Sequence, residues 1–228
     1  MNIGESLMFI KRYADEHITG DYQDYDDFGV RALILLVQER YNFNLGIKTK
    51  LHKEFVPLKL KGLRDAIELT YRKEDFVEFA EKYYISDVLL SKTVDIDWYI
   101  EELEDYNLKM VEGDEINLDT KYEITHIVWG LYMIGRENSI LRQYRPFLAN
   151  VLVNLYAKTE PSDIRTETLY FLSLIDKNKI KEEWIIQLEK GQESDGGFSG
   201  VEQFDEEEVM RVHHTALALL TLYNYYNL

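Results

Sequence analysis

An all-α fold is predicted by three observations. Apolar residues recur three and four apart almost throughout, no segment sustains a strict polar–apolar alternation, and only 3 Pro and 12 Gly punctuate 228 residues. The spacing predicts about ten helices, at 4–18, 26–42, 60–71, 74–90, 95–109, 121–135, 138–157, 162–175, 179–192 and 207–227. In 26–42, Asp26 or Asp27 opens the run and Leu33, Leu36 and Val37 form its apolar stripe. The helix at 121–135 carries Leu131 and Ile134 and stops at Gly135. Leu141–Ala157 is the more one-sided face of 138–157. Ser162 and Asp163 open the next helix, with Leu169 and Leu172 on its stripe, and Gly191 stands where 179–192 would be capped. The acidic run Asp205–Glu208 precedes the last helix, where carboxylates offset the positive end of the helix dipole, and Leu217, Leu220 and Tyr223 follow. The helices at 4–18, 60–71, 74–90 and 95–109 rest on periodicity alone.

Composition narrows the function. With 26 Lys+Arg against 42 Asp+Glu, the net charge of −16 argues against nucleic acid and anionic lipid as partners. The absence of Cys excludes disulfides, thiolate nucleophiles, zinc ribbons and iron–sulfur clusters. The longest fully apolar run, Ala32–Val37, is far too short to span a membrane. The N-terminal stretch, with Lys11 and Arg12 after a brief apolar segment, does not read as a secretory signal, so a cytoplasmic location is expected. One domain over 1–228 is expected, with a seam near 112–120, where the acidic loop Glu112–Thr120 falls.

Internal repetition is the most informative feature. Glu123-Ile-Thr-His-Ile-Val-Trp-Gly-Leu, Ile164-Arg-Thr-Glu-Thr-Leu-Tyr-Phe-Leu and Val212-His-His-Thr-Ala-Leu-Ala-Leu-Leu each set a polar cluster before an apolar run. With His126, Glu167 and His214 as equivalents, the intervals are 41 and 47 residues, about one helix hairpin each. Runs apolar nearly all round suit inner, doubly buried helices, and one-sided helices suit an outer layer.

The segment Gln192-Glu-Ser-Asp-Gly-Gly-Phe-Ser-Gly, then an acidic loop and His213-His214-Thr215-Ala216-Leu217-Ala218-Leu219, resembles the closing repeat of the α/α-toroid superfamily. That superfamily holds terpene cyclases and protein prenyltransferase β subunits. The resemblance covers mainly residues 121–228. It implies a toroid or partial toroid of about five helix hairpins, with an open α-solenoid as the alternative, and a functional mouth at the inner-helix N-termini. Gly196 and Gly197 permit the tight turn, and Phe198 is expected to plug the gap between helix ends.

Two constellations follow. Asp24-Tyr25-Asp26-Asp27 looks like the aspartate motif of class II terpene cyclases, which implies Asp26 as proton donor supported by Asp24 and Asp27. Carboxylates crowded together keep one of their number protonated. The competing reading is helix capping in a chain with 42 acids. The second constellation is His126, Glu167 and His214, candidate ligands for Zn²⁺ or Fe²⁺ if three inner helices share one mouth, with Thr125, Trp129, Arg165, His213 and Thr215 as the surrounding pocket. His214 matches the zinc-binding His of the prenyltransferases, but Arg165 and Glu167 stand where those enzymes supply Asp and Cys. A His-Thr pair at a helix start also serves simply to satisfy orphan backbone groups. A diphosphate substrate would require Mg²⁺ or a pocket built from Arg31, Arg165 and Arg211.

Three functions are therefore carried forward. One is an isoprenoid-acting enzyme, an acid-initiated cyclase or a metal-assisted transferase, with an apolar small molecule as substrate. Another is a non-catalytic acidic toroid that binds a basic protein or peptide. The last is a carbohydrate-active (α/α) barrel using two of Asp163, Glu167 and Glu123 at a separation of about 5–9 Å.

Overall fold

The computed structural model describes residues 1–18, most of 30–45, 96–135, 142–160, 163–199 and 208–228. The described residues are 78% helical and contain no strand, so the chain is all-α. It divides into two compact units, one of residues 1–48 with 159–228 and one of residues 49–158. No described helix is long and apolar enough to cross a membrane. The expected helices at 60–71 and 74–90 lie outside the described residues, as does the Asp24–Asp27 motif.

The first unit opens with α1 (Ile3–His17). The Asn2 side chain caps it by accepting from the Glu5 N–H, and Ser6, Leu7, Phe9, Ile10 and Ala14 form its single buried stripe. The described residues between 30 and 41 are helical, as the periodicity predicts, and Ile34 and Val37 are fully buried.

The second unit holds α2 (Ile96–Glu112), α3 (Leu118–Gly135) and α4 (Arg145–Ala157), each packed on the other two. The α2–α3 link is residues 113–117, and Gly113 takes φ of 95°, which a residue with a Cβ rarely adopts. Tyr106 donates to Glu123 Oε2 at 2.8 Å across α2 and α3, and burial followed by its carboxylate neighbours holds the phenol well above the usual tyrosine range. α4 begins at Arg145, with proline in its first turn where a missing N–H costs nothing, and residues 138–141 of the helix expected at 138–157 lie outside the described residues.

The rest of the first unit is α5 (Asp163–Ile175), a short 3₁₀ turn (Lys177–Lys179), α6 (Glu182–Lys190) and α7 (Glu208–Tyr226). Ten of the thirteen residues of α5 are buried, and in α7 every residue from His214 to Leu222 is buried. Nine consecutive residues cover every face of a helix, so α7 is enclosed all round, as its apolar run predicts. α6 buries only Trp184 and Ile185 and ends at the expected Gly191. α5 and α7 pack along one another, and α1 packs on α7. The C-terminal tyrosines close on neighbours within the unit: Tyr223 meets the Tyr41 ring edge-on at 5.4 Å, and the Tyr226 hydroxyl reaches Glu189.

Between α6 and α7 the motif turn is clamped from two sides. Gln192 and Phe198 pair antiparallel, Gly196 donates to the Glu193 carbonyl, and Gly196 takes φ of 93°. The Gln192 side chain accepts from Asn2 N–H at 2.7 Å and donates to the Asn2 carbonyl and Ser6 Oγ. Ser6 Oγ in turn donates to the Gly196 carbonyl at 2.7 Å. On the other side Thr215 Oγ1 accepts from Phe198 N–H at 2.9 Å and donates to the Arg211 carbonyl. Arg211 lies 4.8 Å over the Phe9 ring and pairs with Glu193 and Asp195. Phe198 is 3% exposed.

Two outcomes are expected. A Cβ at Gly196 would stand 2.4 Å from the Glu5 carbonyl oxygen, and the backbone there is left-handed, so Gly196→Ala should cost about 1–3 kcal/mol in urea unfolding; a neutral substitution would show that the turn is not held against α1. The Arg211 hydrogen bond, with help from the Gly197 N–H, holds the Asp195 carboxyl below its ordinary value. Because the folded value is the lower one, this stabilisation is fully present above about pH 4 and is lost as pH falls through the folded value. Urea unfolding of wild type and Arg211→Gln at pH 5 and pH 3 should show a smaller acid loss in the variant.

Candidate functional site

The N-terminal ends of α5 and α7 bring four titratable side chains together. Asp163 and Glu167 are one helical turn apart on α5, so they share a face, and they are 4% and 5% exposed. On α7, His213 and His214 are consecutive and therefore point about 100° apart around the helix axis. His214, 1% exposed, brings Nε2 to 2.6 Å from Asp163 Oδ1. The His213 side chain, 23% exposed, brings Nε2 to 3.6 Å from Glu167 Oε1 and 3.9 Å from Asp163 Oδ1. The two imidazole rings lie 5.7 Å apart and nearly perpendicular.

Two carboxylates taken out of water on one helix face repel each other and need positive charge or donated protons nearby. The two imidazoles stand within ion-pair distance of these carboxylates. Asp163 also occupies the first turn of α5, where the helix dipole favours a negative charge. The arrangement is therefore a carboxylate–imidazole cluster with a closed side at His214 and an open side at His213. One donor atom from each of Asp163, Glu167 and His213 lies within 4.8 Å of the other two, a spacing that suits a cation.

Of the residues singled out from sequence, Glu167, His213 and His214 meet here, and Asp163, read as a helix-start acid and a candidate carboxylate, joins them. Arg165 is half-buried on the same helix. Thr215 is buried and committed to the turn through Phe198 and Arg211. Thr125, His126 and Trp129 lie on α3 in the second unit. There Thr125 Oγ1 donates to the Tyr122 carbonyl, and His126 stacks on Tyr122 at 6.1 Å. Asp24, Asp26 and Asp27 lie outside the described residues. The signal that points to Asp163 is its four-residue spacing from Glu167 ahead of an all-round apolar run. A second triad among the described residues, Glu16, His17 and Glu208, is exposed and joins the end of α1 to the start of α7.

Comparison of the chain with family models, with curated proteins and with solved structures finds no match.

Breaking a buried carboxylate–imidazole contact strands the remaining partner. Asp163→Ala should therefore destabilise the protein by about 3–5 kcal/mol in denaturant unfolding at neutral pH. A loss under about 1 kcal/mol would show that the contact contributes little to holding α5 against α7.

Proposed function

We propose that the protein is a metal-assisted enzyme in which Asp163, Glu167 and His213 hold a divalent transition-metal ion. The observation that carries this reading is the mutual approach of their three donor atoms, two on buried carboxylates and one on a half-exposed imidazole. Tetrahedral Zn²⁺ with ligands at about 2.0–2.1 Å sets its donor atoms about 3.3 Å apart. The 3.6 and 3.9 Å separations at His213 approach that figure, so small side-chain rotations close the set. An imidazole among the ligands favours Zn²⁺, Fe²⁺ or Co²⁺ over Mg²⁺, which prefers oxygen. This set keeps Glu167 from the sequence-derived trio and replaces His126 and His214 with His213 and Asp163.

Three protein ligands leave a coordination position for water or a substrate heteroatom, which the ion polarises. The open side at His213 is where such a group would enter. The substrate class is the apolar, isoprenoid-like one implied by the resemblance of residues 121–228 to the α/α-toroid superfamily. Support for that resemblance comes from the Gly196–Gly197 turn, the buried Phe198 and the all-round burial of α7. Asp26, with Asp24 and Asp27, stays in this proposal as a second acidic group assigned by resemblance.

Titration of metal-free protein with Zn²⁺, and with Co²⁺ for its visible absorption, tests the centre. One ion per chain is expected, with affinity at least about 100-fold weaker in Glu167→Ala and His213→Ala. Wild-type protein that binds no stoichiometric ion, or variants that bind as tightly as wild type, would sink it. A panel of prenyl diphosphates incubated with the loaded protein tests the substrate class separately.

A further inference from the structure

We infer that His214 is the positioning residue of this centre, fixing the Asp163 carboxylate for the ion without touching it. The inference rests on the metal-site reading above and adds a residue which that ligand set does not use. His214 opens the stretch of α7 in which every residue is buried, and is itself 1% exposed. Its Nε2 stands 2.6 Å from Asp163 Oδ1, closer than any other contact in the cluster. His213, one residue earlier, approaches the same carboxylate oxygen from the open side at 3.9 Å.

The two imidazoles thus divide the work by burial. The partly exposed one is a ligand, and the buried one braces a ligand from behind. A carboxylate pressed on one flank by a buried imidazole 2.6 Å away has less freedom to rotate. This is the usual service of groups behind metal ligands, where removal of such a partner weakens binding by about 10–100-fold. Glu167 gains its hold differently, from its place one turn along the same face of α5. Of the two carboxylates, only Asp163 is in contact with His214 among the described ion pairs.

The test compares wild type, His214→Phe, which keeps a ring but has no nitrogen, and His214→Gln, which keeps a donor. Zn²⁺ affinity is measured by chelator competition and the Co²⁺ complex by its visible absorption, with urea unfolding of each metal-free protein alongside. Zn²⁺ binding about 10–100-fold weaker in His214→Phe, a displaced Co²⁺ band and partial recovery in His214→Gln are expected. A purely structural role would lower metal-free stability while leaving the Co²⁺ band of the folded protein in place, and that result overturns the inference. If His214→Phe does not fold, His214→Gln decides alone: unchanged affinity and an unchanged band overturn it. Wild-type binding that depends on Glu167 and His213 but not on His214 overturns this inference and leaves the metal site standing. Absence of any wild-type binding overturns both.

Discussion

Burial of two carboxylates at the start of one helix is the constraint around which the first unit is arranged. Asp163 and Glu167 have little access to water, and the charge they bring must be met by protein. Partners for both include the imidazoles at the start of α7. Meeting that demand fixes how far α5 slides along α7 and how each is rotated. A shift of one residue would turn either helix by about 100° and carry the carboxylates away from the imidazoles. The apolar residues that follow, Leu169 and Leu172 on α5 and Leu217 to Leu220 on α7, then have their packing partners set. Apolar burial supplies the driving force there, and the polar contact selects one register among several that would bury similar area.

The turn before α7 is a second set of polar contacts in the first unit. It is short, carries a left-handed glycine and sits against α1, so its polar groups need partners within the protein. Gln192 meets the backbone of Asn2 with both ends of its amide, Ser6 reaches the Gly196 carbonyl, and Thr215 takes the Phe198 N–H. Arg211 joins the two acids of the turn to the Phe9 ring of α1. The result ties the first helix of the chain to the last across 190 residues of sequence.

The helices were legible because their causes are local. The runs read as 95–109, 121–135, 162–175 and 207–227 appear as helices at 96–112, 118–135, 163–175 and 208–226, with differences confined to the ends. Proline in the first turn of α4 suits the start at Arg145. The inner character of α7 was equally visible, since nine consecutive buried positions leave no polar face to read. The cluster was legible only in part. Glu167 and His214 stood out by repeat position and His213 as the neighbour of His214, but Asp163 at a helix start carries the same signature as any capping acid.

What the amino-acid order determined by itself was helicity, the ends of most helices and the glycine turn. Each of these depends on residues within about four positions of one another, a range over which composition and spacing fix the outcome. Tertiary packing alone decided that Asp163 meets His214, that His213 stays on the open side, and that Thr215 serves the turn. Those pairings join side chains far apart along the chain, and their geometry follows from the rotation and slide of one packed helix against another. Periodicity marks which face of a helix is buried; only the partner helix determines which acid on that face an imidazole reaches.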